Sequence, residues 1–519
     1  MGLTINNRFL IFWSILGALG FILIWNLPWR FQVNDDVIMM WLVSGAYTGT
    51  PESYAVFIHP ILSWILSQLY EWKPEIQWYG AAWFLVIGLS YFLLILKLSE
   101  TTYEPSQKAF LAFFILLISI HFCIFPQFTL VAGFASFSSL SLWYSRLNSH
   151  NFLIKGLTIV LFILAIMIRW ESTVLMGIGF VAYRLSLEGL RFLSSNLVKL
   201  IAFGVLFLVL FGGKVYWEKN SDFADFLKFN KIRAGVIDHP VFRQEILEKR
   251  IEVNSEFYFF SRWFFEGERP TENELFEKKR ILDSQFFTKD QFTNSFIRLW
   301  DFQKIEAFKS FLIAGILFLF FFSTKRSFAL FSFFFIWLLF FFIFNHFYII
   351  QGRVIFLFFL CFLFPVFEDF LPAFNNLVVK MAFLLCLIAL LYHSFNFLKE
   401  AKGRAIMDRE FLALNLTLES GVPLIFEGYQ EHNLGIKYSS AHPVSFISTG
   451  WISRSVFQKK ALIRIGLKGF EEINRFALIT PTINNEIVFP EYMSHTFGDF
   501  RMLDSVKTDN FLLMEFVKK

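Results

Sequence analysis

The sequence predicts an α-helical polytopic membrane protein of about 11 transmembrane helices, followed by a small extracytoplasmic α/β domain. Three observations carry this expectation. Of 519 residues, 56% are hydrophobic and only 17% are charged, with Phe alone supplying 75. Apolar runs near the spanning length of roughly 20 residues recur up to residue 395. Beyond that point the pattern changes to short β-like runs separated by polar turns. Charge this scarce excludes a chain of water-facing domains, and apolar content this high excludes disorder. Three Cys are too few for a disulfide scaffold. All three lie in or beside apolar runs, where they read as small hydrophobes. The net charge of +5 comes without a basic run, so no nucleic-acid partner is expected.

The eleven candidate spans are 9–27, 77–97, 109–125, 128–145, 152–168, 171–187, 196–213, 309–323, 327–344, 349–367 and 376–395. The fifth and sixth share a tight turn at Arg169-Trp170-Glu171. The first lacks a cleavage signal and is read as an anchor. With the N-terminus in the cytoplasm, the cytoplasmic ends hold Arg8, Lys97, Lys108, Arg146, Lys155, Arg184, Arg191, Lys199, Lys325, Arg326 and Lys380. The opposite short loops hold only Arg30, Lys73, Arg169 and Arg353. This bias predicts N-in, C-out in a cell (inner) membrane. Residues 1–395 then form the transmembrane domain, with outer loops 28–76 and 214–308, and 396–519 form the outer C-terminal domain.

In the first outer loop, Asn34 reads as an N-cap before Asp35, Asp36 and the run Val37–Val43, with Gly45 as the stop. A second helix is expected from Pro60 to Tyr70, and both are expected to lie at the membrane interface. The 214–308 loop reads as helical with a turn at Asp238-His239-Pro240. In the tail, a mixed-charge helix near 396–419 precedes β-like runs at 422–426, 461–465, 476–479 and 511–516.

Asp35-Asp36 is the sharpest chemical feature. Two carboxylates at an interfacial helix start suit a general base acting at the membrane surface. They equally suit a first helical turn, where acid complements the dipole. Arg353 follows Gln351-Gly352 at the outer mouth of a span, where its fork suits a phosphate or its stem snorkels. Arg169 and Glu171 read as a local ion pair facing a cavity or as the place where a loop meets water. Arg233, Asp238 and His239 suit a metal site, an acceptor grip or a capping turn, and His59, before Pro60, reads as a satisfied surface histidine or as a residue facing Asp35. No Gly-x4-Gly-Lys loop, zinc pattern, nucleophile elbow or Arg ladder is present. ATP-driven transport by this chain is therefore not expected.

The assembled pattern resembles the GT-C superfamily of integral-membrane glycosyltransferases. The resemblance rests on Phe31-Gln32-Val33-Asn34-Asp35-Asp36 in the first outer loop, an N-in first span, many spans and an extracytoplasmic C-terminal domain. It implies a sugar carried on a polyprenyl phosphate or diphosphate and transferred at the outer face to a hydroxyl of a glycan, lipid or protein. It further implies Asp35 or Asp36 as general base. The pair is Asp-Asp where many relatives carry Asp-Glu, so both members stay candidates. Arg353, Arg169, Arg233, His59, Asp238 and His239 complete the expected substrate- and phosphate-binding set. No cofactor is expected, and a divalent metal finds no support in the sequence. The competing classes are a flippase or secondary transporter of a lipid-linked glycan, an acyltransferase using His121 or His346, and a non-catalytic scaffold.

Overall fold

A computed structural model describes residues 7–143, 151–323, 328–368, 376–419, 421–428, 430–435, 438–483 and 486–519. Arg146, Lys325 and Arg326, which enter the charge bias above, lie outside these residues. The apolar helices are α1 (Asn7–Trp25), α4 (Trp78–Glu100), α5 (Pro105–Ile124), α6 (Phe128–Trp143), α7 (Phe152–Glu188), α8 (Arg191–Lys219), α14 (Ala307–Ser323), α15 (Phe328–Phe347), α16 (Gly352–Leu360) and α17 (Asn376–Asn415). The first loop adds α2 (Asn34–Ser44) and α3 (Pro60–Trp72). The second loop adds α9 (Ala224–Ile237), α10 (Pro240–Leu247), α11 (Glu256–Ser261), α12 (Glu272–Asp283) and α13 (Lys289–Ile305). The tail holds α18 (Val456–Arg464) and α19 (Phe489–Phe497) around a four-stranded sheet.

Among the described residues, seven helices are long and apolar enough to cross a membrane. The chain is a multi-pass membrane protein. The fifth and sixth expected spans are two halves of α7, broken at Arg169 by an extended backbone (φ −158°, ψ 95°). The halves fold back on each other, since Phe162 and Val181 line one small cavity although they are 19 residues apart in sequence. A straight helix would separate them by about 28 Å at 1.5 Å per residue. The hairpin therefore presents Arg169 at its tip. Glycine allows the tightest helix contacts: a Cβ on Gly133 would lie 2.3 Å from Leu357, and one on Gly179 2.4 Å from the Cys361 sulfur.

The first loop departs from its expected place at the interface. Every residue of α2 from Asp36 to Ser44 is buried, so this helix belongs to the protein core. Its run of apolar residues leaves no polar face to turn to water, which is the physical reason. The N-cap position falls on Val33, and no side chain caps it. Helix α3 keeps an apolar outer face, with Ile61, Trp64, Ile65 and Trp72 exposed along it.

The tail helix near 396–419 is the extension of the last span. Helix α17 runs 40 residues, about 60 Å. Phe397, Ala401, Arg404, Phe411 and Leu414 form its buried seam. Arg30 pairs with Glu400, and Arg404 donates to the Pro28 carbonyl at 2.8 Å, tying this helix to the start of the first loop.

The sheet order is β1-β2-β4-β3, from Leu424–Phe426, Arg475–Pro481, Phe511–Lys518 and Phe500–Lys507 respectively. β1 pairs β2 in parallel (Leu424 with Ala477), and the other pairs are antiparallel (Ala477 with Glu515, Met502 with Phe516). The expected strand at 461–465 is instead the end of α18. Ser455 caps that helix by accepting from Gln458 N, and Phe457, Ala461 and Leu462 bury one helical face. Strand β3 was not expected, because all but its first residue are exposed and no apolar alternation marks it.

The domain is stitched onto the first loop by backbone bonds. Ser440 N donates to Ser44 O at 3.1 Å and Val444 N to Ala46 O at 3.0 Å. Lys460 grips the buried Glu52 through both carboxylate oxygens at 2.8 Å. Gly45 makes this junction feasible, at φ +75° with 2.6 Å between its notional Cβ and both Thr50 C and Pro51 N. Gly45→Ala is expected to destabilise the protein by about 1–3 kcal/mol. A thermal midpoint equal to wild type would contradict that account.

Candidate active site

A cavity of about 1000 Å³ lies where the first loop, the second loop, the α7 hairpin tip and the C-terminal domain meet. Seven basic and six acidic residues line it, so an arriving anion must compete with resident carboxylates. It brings together Asp35, Arg169, Arg233, Asp238 and Arg353, five of the eight residues singled out from sequence. Asp36, His59 and His239 do not line it.

Asp35 stands in the first turn of α2, and its Oδ2 lies 3.6 Å from Arg353 Nη2. Both side chains stay partly open, at 19% and 23%. Arg353 is held at the start of α16 because Gly352 abuts Phe302 and Glu306, where a Cβ would come within 2.7 and 2.9 Å. Arg169 pairs with Glu171 at 3.0 Å, and its guanidinium stacks 5.2 Å from the Phe128 ring.

Arg233 is buried at 4% exposure. Its Nε donates to Asn230 Oδ1 at 2.9 Å, and its guanidinium lies 4.9 Å from the Trp263 ring. Burial lowers its pKa to about 10, which leaves it charged at neutral pH. Asp238 caps the C-terminal end of α9 and opens to the cavity. The surrounding protein desolvates it and raises its pKa, against the pull of Arg233.

Asp36 turns the other way and is fully buried. Its carboxylate accepts from the Tyr79 hydroxyl at 2.9 Å, the Trp83 indole at 3.0 Å and Phe128 N at 3.2 Å. Phe128 is the first residue of α6, so Asp36 serves as anion for the N-terminus of a neighbouring helix. Desolvation raises its pKa to about 7 despite these donors.

The two histidines cap helices. His59 Nδ1 accepts from Ile61 N, with Nε2 3.1 Å from Leu210 O. His239 Nδ1 accepts from Val241 N, with Nε2 3.2 Å from Asp283 Oδ1. In both His-Pro pairs the proline opens the helix and the histidine satisfies a free amide. Burial lowers both pKa values, which favours the neutral ring that can accept.

Sequence reasoning missed Lys214, Lys231, Arg243, Glu427, Ser448 and Trp451, all lining the cavity. Lys214 is the most informative. Its ammonium donates to the carbonyls of Val56, Phe57 and Ile58 at 3.2, 3.1 and 3.4 Å, clamping a loop that holds Val56 at φ +64°. A lysine directly after Gly212-Gly213 at the end of an apolar helix was its only signal. Glu427 accepts from Val488 N and Phe489 N, and burial pushes it up to about 7. Ser448 and Trp451 arrive through docking of the tail and carry no local signal. Among the described residues no group of three His, Cys, Asp or Glu side chains could hold a metal ion.

Two solved structures are similar over nearly the whole chain. The crystal structure of ArnT from Cupriavidus metallidurans bound to undecaprenyl phosphate aligns with TM-score 0.52 and 11% identity, over 97% of this chain and 98% of that one. Its apo state aligns with TM-score 0.50 at the same identity and coverage. The chain therefore shares the overall fold of ArnT. At 11% identity the likeness covers fold alone. No protein-family model matches the chain, and no curated protein matches its sequence.

The burial of Asp36 has a pH consequence. Its folded pKa stands above its unfolded value, so its stability contribution is present at low pH and is lost as pH rises from about 4 to about 7. Asp36→Asn removes that titration. The midpoint of the variant relative to wild type should therefore rise between pH 5 and pH 8. A difference independent of pH would argue against the buried acid.

Proposed function

We propose that this protein transfers a sugar from a polyprenyl-phosphate donor to an acceptor hydroxyl at the outer membrane face. The observation that carries the reading is the facing of Asp35 and Arg353 across 3.6 Å on the wall of a large cavity, in a GT-C fold. The binding of undecaprenyl phosphate by ArnT supports the lipid class of the donor. A lipid-linked donor stays in the bilayer with its phosphate at the interface, and the charge bias of the loops puts Arg169, at the break of α7, and Arg353, at the start of α16, on that outer side.

In this mechanism Asp35 removes the proton from the acceptor hydroxyl. The oxygen forms a bond to the anomeric carbon as the bond from that carbon to phosphate oxygen breaks. The electron pair leaves on the polyprenyl phosphate, and Arg353 and Arg169 stabilise the charge it gains. Loose pairing suits Arg353 to the task. At 3.6 Å it is not locked to Asp35, so an entering phosphate can draw the guanidinium off and free the carboxylate. Arg233 and Asp238, on the second-loop wall, hold the acceptor. Orientation of the two substrates supplies much of the remaining acceleration.

Asp35→Asn should lower transfer from undecaprenyl-phosphate-linked pentoses or hexoses by about 10²–10⁴-fold with little change in melting. Undiminished transfer would remove Asp35 as the base. Arg353→Ala should lose more activity than Arg353→Lys, which keeps charge but not the fork. Equal activity of both with wild type would remove Arg353 from the phosphate site. Reporter fusions after Lys97 should read cytoplasmic and after Lys519 extracytoplasmic. The reverse pattern would put the cavity on the wrong face.

A further inference from the structure

The large cavity has two chemically different walls. Among the described residues that line it, every base comes from α7, α8, the second loop or the start of α16. The tail contributes Glu427 and Glu486 and no base. Glu486 is paired with Arg262 at 2.7 Å, and Glu427 is engaged by the two amides that open α19. What the tail presents beyond these acids is the run Ser448-Thr449-Gly450-Trp451, with two hydroxyls and an indole.

Trp263 stands against this run. A Cβ on Gly450 would lie 3.5 Å from its Cε3, so only a residue without a side chain leaves the indole clear on that side. The guanidinium of Arg233 lies 4.9 Å from the Trp263 ring, yet 38% of the residue stays open. Its backbone sits at φ +71°, a region that a bulky side chain rarely adopts. Such strain persists only where the surroundings impose it. Here Arg454 imposes it by donating to the carbonyls of Phe265, Arg269 and Pro270. Ser453 adds a second tie, its hydroxyl donating to Glu266 at 2.6 Å and accepting from Gly450 N at 3.0 Å. Loop and tail therefore hold the ring as one rigid surface.

Two polar groups on the same surface lack partners. The Ser448 backbone is fixed, its N–H donating to the Tyr47 hydroxyl at 3.2 Å and its carbonyl accepting from Gln458 Nε2 at 3.0 Å. Its own hydroxyl and the Trp451 Nε1–H have no hydrogen-bond partner among the described residues, although these residues are only 2% and 5% exposed. Unpaired groups at that burial are costly, and a guest that both donates and accepts would satisfy both. An acyl chain would cover the indoles and leave the hydroxyl unpaired. A phosphate or carboxylate would meet two acids and no base from the tail. A pyranose suits the surface on both counts: the C–H bonds of one ring face pack on an indole, and its hydroxyls serve the polar groups at the edge.

The surface also adjoins the reacting groups. Asp35 and Asp238 stabilise the charge on Arg233, beside Trp263. Trp451 packs on Phe57 at 4.8 Å, and Phe57 lies 5.6 Å from the Arg169 guanidinium.

We propose that Trp263 and the run Ser448–Trp451 bind an uncharged pyranose ring of the acceptor, so that the acceptor is a neutral glycan. The proposal rests on the transfer reading above and narrows its acceptor from any hydroxyl to a sugar without phosphate or carboxylate.

The test uses the full chain in detergent. Saturation-transfer NMR and calorimetric titration measure binding of methyl glucoside, methyl mannoside and methyl galactoside, each against its 6-phosphate. At least one neutral glycoside should bind with Kd below about 10 mM and outcompete its phosphorylated form. That comparison needs no variant. Trp263→Ala should weaken binding of the neutral sugar about tenfold, and Trp263→Phe, which keeps an aromatic face, should restore most of it. Trp300→Ala, an exposed indole outside the cavity, is the control and should bind as wild type. Melting of each variant is recorded alongside. Preference for the 6-phosphates overturns the proposal, as does failure of all three neutral glycosides to bind. Equal losses in Trp263→Ala and Trp300→Ala overturn it too. Binding of undecaprenyl phosphate, measured in the same preparations, separates the two readings. Failure of the sugars while Arg353→Ala weakens the lipid leaves the donor site standing and removes the glycan. Sugar binding that depends on Trp263, with lipid binding indifferent to Arg353→Ala, supports the sugar surface and removes the head-group assignment.

Discussion

The buried carboxylate of Asp36 is the constraint on which the site depends. It draws a phenol and an indole from α4 and the first amide of α6 onto one point of α2. A carboxylate without partners at that depth would cost several kcal/mol, so α2 has one rotational setting that satisfies it. Consecutive residues of a helix point about 100° apart. With Asp36 turned inward, Asp35 is turned to the rim, where it meets Arg353. The acidic pair therefore divides its labour: one member orients the helix and the other faces the cavity.

That helix also organises everything around it. The tail pairs with the backbone at Ser44 and Ala46, and Lys214 holds the carbonyls at 56–58. The cavity wall is composite as a result, with Asp35 from the first loop, Arg233 and Asp238 from the second, Arg169 from a hairpin tip, and Glu427, Ser448 and Trp451 from the tail. None of these segments encloses the space alone. Burial of α2 is thus a demand of assembly, since a helix lying at the membrane surface could not be contacted from so many sides.

The membrane architecture was legible because a span is set by length and apolarity, both local properties. The break at Arg169-Trp170-Glu171 was legible for the same reason. What the sequence could not carry was orientation. Asp35 and Asp36 look alike in sequence and differ only in what α4 and α6 bring to them. His59 and His239 looked like site residues because histidine before proline has no local feature separating a cap from a ligand. Ala461–Ile465 looked like a strand because five residues with three aliphatics fit either period, and only the cap at Ser455 decides. Lys214 was hidden by its place at the end of an apolar helix, where snorkelling is the ordinary expectation.

The arginines of the cavity differ in how far they are committed. Arg169 has a carboxylate at 3.0 Å and two aromatic faces beside it. Arg233 is nearly enclosed, and among the described residues it has one hydrogen bond, to Asn230, and a buried Nη1 without a partner. Among the described residues, Arg353 makes one long contact, 3.6 Å, with the partly open carboxylate of Asp35. Walls of low polarizability strengthen each of these interactions, so exchanging a carboxylate for a phosphate is easiest where the resident bond is longest. On that ordering Arg353 is the residue most able to move between Asp35 and an incoming anion. Arg169 keeps its place at the hairpin tip, and Arg233 holds fixed charge on the second-loop helix α9. Under the proposed transfer, this combination would serve both needs of the site: fixed cations raise the local potential for an anionic leaving group, and one loosely held cation can leave Asp35 when the substrate arrives.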